Sequence, residues 1–268
     1  MTSIATQDVL AFAHELADVA RSAILPYFRA GAEIENKAET GFDPVTAADK
    51  AAEEAMRAKI RAERPHDSIV GEEFDDHDGS SGWTWVLDPI DGTRAFIAGT
   101  TTWGVLIGAR FEDKPLVGIM DQPFADERWA ANPDRGFWSR GRARYPLMTR
   151  KNVALDQALM ATTDPFLFQD AQHEAFLALR AATRLTRYGL DCTAYALLAH
   201  GHIDLVVEPG LKDVDIAALI PIIEAAGGVV TDWQGRHHPK GGDIIAAGCP
   251  ALHAKALAFV AGKSSPAP

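Results

Sequence analysis

The stretch WVLDPIDGTRAF, residues 85–96, limits what this chain can fold into more tightly than any other. Trp85, Val86 and Leu87 begin it as a buried strand should, and Asp88, Asp91 and an Asp-Gly turn stand where the apolar run stops. Pro89 imposes an extended approach, so the Asp88 and Asp91 side chains can converge on one point. Two carboxylates gathered at a strand end repel one another, and a divalent cation is the natural occupant between them.

Three other stretches also place acids at the ends of apolar segments: DPVTAAD (43–49), VGEE (70–73) and VDIAAL (214–219). Each has a local explanation beside the chemical one. Thr46 with Asp49 forms a capping-box variant at a helix start. Glu72 and Glu73 fit solvent-facing loop acids, Asp91-Gly92 fits a turn with a helix cap, and Asp215 fits the N-cap of a helix from Ile216 to Ala226. Together the four stretches point to a metal site. Oxygen ligands without Cys or His select Mg²⁺, Mn²⁺ or Ca²⁺ over zinc or copper. So many carboxylates in one place raise one another's pKa values, and cation binding should therefore stabilise the fold.

The chain has 268 residues, 47% hydrophobic and 24% charged, enough for one large domain or two smaller ones. Its formal charge of −11 argues against general affinity for nucleic acid, which is bound through clustered Lys and Arg. The run Arg135, Arg140, Arg142, Arg144, interleaved with Gly136, Ser139 and Gly141, reads first as a solvated turn and second as a phosphate or partner patch. The opening MTSIATQDVLAFAHELADVARSA lacks the marks of a signal peptide, and no window approaches the roughly 18 apolar residues of a membrane span. The expectation is a soluble cytoplasmic enzyme without a membrane segment. Cys192 and Cys249 fit no metal spacing and read as buried reduced thiols.

Apolar residues from Val9 to Ile24 repeat at helical spacing and predict a helix over 7–29, bent in its last turn by Pro26. Thr46 opens a second helix that ends near Glu63. Short β-rich segments follow at 68–71, 83–87, 103–111, 116–121 and 127–131, the third and fourth forming a hairpin around EDKP. Beyond residue 149 the pattern alternates: helices at 170–182, 191–200, 215–226 and 250–262, and strands at 184–188, 203–207, 228–232 and 243–247. Such alternation predicts layered α/β packing. A soft boundary near residue 150 divides an N-terminal α+β half (1–150) from a C-terminal α/β half (151–268), joined as one compact unit. The tail GKSSPAP reads as disordered.

The set DPVTAAD, GEE, WVLDPIDGT and a late Asp before an apolar helix ending in EAAGG resembles the motifs of the inositol monophosphatase family, in the same order over nearly the whole chain. The resemblance implies a layered αβαβα sandwich, a homodimer, and Mg²⁺-dependent, lithium-sensitive hydrolysis of a small phosphate ester, with two or three Mg²⁺ per site and Mn²⁺ as a substitute. It assigns Glu72, Asp88 and the Ile90 carbonyl to a first ion, Asp88, Asp91 and Asp215 to a second, and Glu72 again to a third. Thr93 and Asp49 would hydrogen-bond each other and orient the attacking water, with Glu72 also in the catalytic set. The Gly92 and Thr93 amides would bind phosphate, as helix N-termini do. Lys37 matches a family lysine near this site and takes a supporting electrostatic role. Where the family usually carries Trp or Tyr before the last ligand, this chain has Val214, and Asp213 offers a rival carboxylate. Counting back from Gly227-Gly228 selects Asp215.

The metal motifs do not separate the family's substrates, which include inositol phosphates, sugar bisphosphates, adenosine bisphosphates and histidinol phosphate. DPIDGTRAFIAG, GIMDQPFADERWAA and DIAALIPIIEAAGGVVTDWQG resemble the histidinol-phosphatase branch. Asp191 and Glu208 would face the leaving group, where two acids suit an ammonium and an imidazole better than neutral inositol. Asp191 also fits a helix N-cap before CTAYALLAHG. Arg94 either neutralises phosphate or covers the acidic cluster, and is taken as substrate-proximal. His200, His202, His237 and His238 read as capping or solvent-exposed residues. Inositol-1-phosphatase activity is the alternative within the class. A binding protein of the same fold, as some bacterial relatives are in transcription complexes, is the alternative outside it.

Overall fold

The computed structural model describes residues 3–30, 34–36 and 44–263. Lys37, Asp43 and the last five residues of the tail lie outside them. Helix α1 (Ser3–Ile24) leads to a short antiparallel ribbon, β1 (Ile34–Asn36) with β2 (Pro44–Thr46), and then to α2 (Ala47–Glu63). A seven-stranded sheet follows, its strands lying side by side in chain order: β3 (Ser68–Gly71), β4 (Trp83–Asp91), β5 (Gly104–Phe111), β6 (Lys114–Gln122), β7 (Glu127–Asn132), β8 (Arg135–Arg140) and β9 (Ala143–Pro146). Helix α3 (Thr93–Ile97) bridges β4 and β5. The rest of the chain builds a five-stranded sheet from β10 (Leu159–Thr162), β11 (Leu185–Tyr188), β12 (Leu205–Leu211), β13 (Val229–Asp232) and β14 (Gly242–Ala247), in the order β11-β10-β12-β14-β13. Among these strands run α4 (Asp170–Ala182), α5 (Cys192–Ala199), α6 (Asp213–Ile216) and α7 (Leu219–Ala225), and α8 (Pro250–Val260) follows the last of them.

The layers stack α-β-α-β-α, the sandwich that the motifs imply. Phe12, Leu16, Ala52 and Met56 of α1 and α2 pack on Trp85, Leu87 and Ile107 of the first sheet. Leu106, Met120 and Trp129 on that sheet's other face meet Leu198, Ile220 and Ile223 of α5 and α7, which in turn cover Val206, Val230 and Ile244 of the second sheet. Met160, Val207 and Ile245 close the stack against Phe176, Leu179, Leu252 and Val260 of α4 and α8. Strand β4 is therefore buried on both sides, which is why WVL reads as a continuous apolar run and not as an alternating one. No helix among the described residues is long and apolar enough to cross a membrane. Both cysteines are buried and free.

Several elements depart from the sequence expectation for local reasons. Helix α1 stops at Ile24 instead of bending through Pro26, because proline's missing N–H and its steric demand on the preceding residue end the helix there. The predicted helix 215–226 is two pieces, α6 and α7. Pro221 lacks the N–H that would reach the Ala217 carbonyl, and its ring crowds that carbonyl. The arginine run is solvated, as expected, but its turn is confined to Gly141-Arg142, with Gly141 at φ 55°, and the flanking residues form the hairpin β8–β9, where Arg144 lies over the Phe137 ring. Strand β4 runs on to Asp91 instead of stopping at Leu87.

Two glycines let α6 and α7 approach the first sheet. A Cβ at Gly108 would lie 3.1 Å from the backbone at Ala217 and Ala218, and one at Gly118 only 2.0 Å from the Ala218 carbonyl oxygen. Gly118→Ala should therefore cost about 1–3 kcal/mol of stability, the usual range for overpacking a tight core. Urea denaturation would measure it, and an unchanged midpoint would mean that the α6–α7 junction is free to move.

Candidate active site

Asp88 and Asp91 sit on one strand with a bulge between them. Asp88 is paired opposite Leu106 and Asp91 opposite Gly104, so β4 carries one extra residue. The extra residue re-aims the strand end, and one oxygen each from Asp88, Asp91 and Asp215 come within 4.8 Å of one another. Each of the three is anchored by a backbone amide. Ile90 N–H donates to Asp88 at 3.1 Å, Cys192 N–H to Asp91 at 2.6 Å and Lys212 N–H to Asp215 at 2.7 Å. Asp215 is thus not the N-cap of its helix. The rival Asp213 turns away to a two-pronged ion pair with Arg110, closest at 2.7 Å. Val214, in place of the aromatic, packs with Val86 and Ala217.

Burial, then the charges of Glu72, Asp91 and Asp215, push the Asp88 carboxyl well above its usual range. Burial, then Asp191 and Asp215, do the same to Asp91, and burial raises Asp215 to about 6 against the pull of its backbone hydrogen bond. These are hard oxygen donors with surplus negative charge in a desolvated place, a donor set that fits Mg²⁺ or Mn²⁺. Asp88, Asp91 and Asp215 would hold the ion.

Glu72 stands beside this trio without joining it, although it reaches the Asp88 carboxyl. Its Oε1 accepts from Lys212 Nζ at 3.0 Å. The sequence reading missed Lys212, whose only local signal is its place three residues before Asp215. The loop after Glu72 is clamped by a buried pair on α2. Arg57 donates to Glu53 at 2.7 Å and to the Phe74 and Asp75 carbonyls at 2.9 Å, while Glu53 accepts from the Glu73 amide at 2.8 Å. Gly71 is required beneath this clamp, since a Cβ there would lie 2.0 Å from Glu53 Oε1. Glu73 therefore serves through its backbone.

The expected Asp49–Thr93 hydrogen bond is not formed. Asp49 Oδ2 is taken by the amide and hydroxyl of Thr46, the capping box of α2, and the Thr93 hydroxyl donates to the Ile90 carbonyl at 3.1 Å. Both groups satisfy themselves within their own turns. Asp49 Oδ1, however, is buried with no partner among the described residues, and burial raises this carboxyl's pKa. The Ile90 carbonyl keeps a second lone pair. Gly92 opens α3 at φ 85°, pressed so close to Thr102 and Asp191 that a Cβ would meet them at 3.0 and 3.2 Å.

A cleft extends from Asp91 and Asp215 past Asp191, Thr163, Tyr195 and Glu208. Asp191 occupies the N-cap position of α5 with φ 46°, yet its side chain makes no capping bond. Burial raises it to about 6, and exposed Arg94 opposes that rise. Glu208 is buried and already engaged, accepting from Thr162 Oγ1 at 3.0 Å and from the Thr163 amide at 2.7 Å, and burial raises it to about 8. The paired histidines lie elsewhere: His200 against Trp138, and His238 beside Glu224.

The inositol monophosphatase family pattern matches residues 5–263, and the chain belongs to that family. It is a phosphatase of this class. It is 40% identical to the bifunctional phosphatase IMPL2, chloroplastic, of Arabidopsis thaliana, over 92% of this chain and 73% of that one. It is 36% identical to a histidinol-phosphatase of Streptomyces coelicolor, over 89% and 92% respectively. Its fold superposes on an inositol monophosphatase structure from Zymomonas mobilis with a TM-score of 0.84 and 44% identity, covering 97% of this chain and 99% of the other.

The raised Asp215 carboxyl gives a stability test. In chelated protein the folded chain keeps a proton between the ordinary carboxyl pKa of 3.8 and about 6 that the unfolded chain has lost. The stabilisation is full below the lower value and is lost as pH rises through the upper one. Asp215→Asn should therefore melt above wild type at neutral pH with chelator present, and the gap should close below about pH 4. Added Mg²⁺ should raise the wild-type melting temperature more than the variant's. Parallel melting curves at all pH values would show that the Asp215 carboxyl is not raised.

Proposed function

We propose that this chain is a divalent-metal-dependent histidinol-phosphatase, hydrolysing L-histidinol phosphate to L-histidinol and phosphate. The observation that carries the proposal is the single cleft with Asp91 and Asp215 at one end and Asp191 within it. Asp191 is an acid with no capping duty, and an ammonium-bearing leaving group would pair with it, whereas a neutral polyol gains little from it. Glu208, held by its threonines, forms the far wall of the cleft. The likeness to curated histidinol-phosphatases supports the same substrate.

Asp88, Asp91 and Asp215 would hold Mg²⁺ or Mn²⁺, with Glu72 and the Ile90 carbonyl as additional oxygens. The bound ions would supply charge neutralisation and Lewis-acid polarisation of the phosphate. Asp49 Oδ1 is the unpaired acceptor available to orient the attacking water. The Gly92 and Thr93 amides would receive phosphate oxygens, and Arg94 would add positive charge at the rim.

Asp88→Asn should lower turnover by at least ~10²-fold, the loss expected when one preorganised charge interaction is removed, while the protein stays folded. Wild-type turnover in that variant would refute the site. With Mg²⁺, catalytic efficiency should rank histidinol phosphate above inositol 1-phosphate, fructose 1,6-bisphosphate and adenosine 3′,5′-bisphosphate. Asp191→Asn should weaken histidinol phosphate more than inositol 1-phosphate, and an equal loss on both would remove Asp191 from recognition.

A further inference from the structure

Tyr195 lies on the second turn of α5, its side chain almost wholly enclosed at 3% exposure, and its hydroxyl has no hydrogen-bond partner among the described residues. A buried hydroxyl without a partner costs about 1–3 kcal/mol, so a phenylalanine here would serve the core better unless something in the cleft takes the bond. Tyr195 lines the cleft together with Asp91, Asp191, Glu208 and Asp215. Each acid nearby has a donor of its own or a role toward the cation. Glu208 is filled by Thr162 and Thr163, Asp91 by the Cys192 amide, and Asp215 by the Lys212 amide. Burial, and then the charges of Glu208, Asp91 and Asp215, hold the Tyr195 hydroxyl in its protonated form, so it is a donor at working pH. Leu167, Pro209, Leu211 and Leu219 add an apolar stretch to the cleft lining that suits a flat ring.

Resting on the substrate reading above, we infer that Tyr195 is a specificity-determining residue whose hydroxyl donates a hydrogen bond to an uncharged acceptor on the leaving group, the ring nitrogen of the imidazole. Asp191 then pairs with the ammonium and Tyr195 reads the ring. This division places the cationic and neutral ends of one leaving group on different side chains of the same helix start. It also explains a polar atom that the core alone does not use.

The test compares wild type with Tyr195→Phe on two esters that share the ammonium and the chain, histidinol phosphate and phenylalaninol phosphate, in which a phenyl ring lacks the acceptor. For histidinol phosphate, kcat/KM should fall about tenfold, chiefly through KM, with little change for phenylalaninol phosphate. Because the deleted hydroxyl has no partner within the protein, the melting temperature of the variant without substrate should be unchanged or higher. Equal losses on both esters, no loss on either, or a lowered melting temperature would overturn the assignment while leaving the substrate reading intact. Wild-type enzyme that turns over histidinol phosphate no better than phenylalaninol phosphate and inositol 1-phosphate would overturn both.

Discussion

Three carboxylates held within 4.8 Å of one another in a desolvated place set the terms for everything else in this protein. Their mutual repulsion would spread flexible side chains apart, and here they are not flexible. Asp88, Asp91 and Asp215 each accept a backbone N–H, from Ile90, Cys192 and Lys212 in turn. These amides belong to a strand bulge, a helix N-terminus and a loop, so the cluster is assembled by the main chain of three separate elements. Backbone geometry is fixed by the sheets and their cores. A cation arriving at such a site would meet carboxylates that are already oriented, the ordering entropy having been met by folding.

The same logic explains how distant parts of the chain reach one point. Helix α2 holds the loop after Glu72 through Glu53 and Arg57, a pair whose side chains are buried and whose four hydrogen bonds to the loop and to each other leave little unsatisfied. Gly108 and Gly118 admit the α6–α7 junction against the first sheet and so set the depth of Asp215. Lys212 contributes twice, its amide to Asp215 and its ammonium to Glu72, tying the strand-β12 side of the site to the strand-β3 side. Such a pair of contacts is a geometric link, and the charge of Lys212 offsets part of the local negative potential.

Features carried by short sequence intervals were legible in advance. The Thr46–Asp49 capping box, the helix at 170–182 and the convergence of Asp88 with Asp91 each depend on a few neighbouring residues. What escaped depends on partners far along the chain or on a pattern with two meanings. The arginines of β8 and β9 flank Phe137, Trp138 and Tyr145 on either side of a Gly-Arg turn, a hairpin signal masked by its charge. Pro221 lies inside the expected helix 215–226 and divides it, because its missing N–H matters more than its apolar surface. Strand β10 is only four residues long, and Lys212 acts on Glu72 across 140 positions, so its place three residues before Asp215 was too slight a sign to reveal that link.

Helix α5 joins the two ends of the cleft and so restricts how its specificity can be tuned. Its first amide holds Asp91 at 2.6 Å, Asp191 precedes that amide, and Tyr195 lies three residues beyond it. A shift of the helix that enlarged the leaving-group space would also draw Asp91 away from Asp88 and Asp215. Specificity can therefore change by exchanging side chains on a stationary helix far more readily than by moving it. Gly92 reinforces this, since its approach to Asp191 leaves no room for even a methyl group between α3 and the start of α5. The carboxylate cluster and the cleft beside it are thus coupled through a single backbone segment, and on the proposed reading substrate recognition would fall to side chains at positions such as 191 and 195.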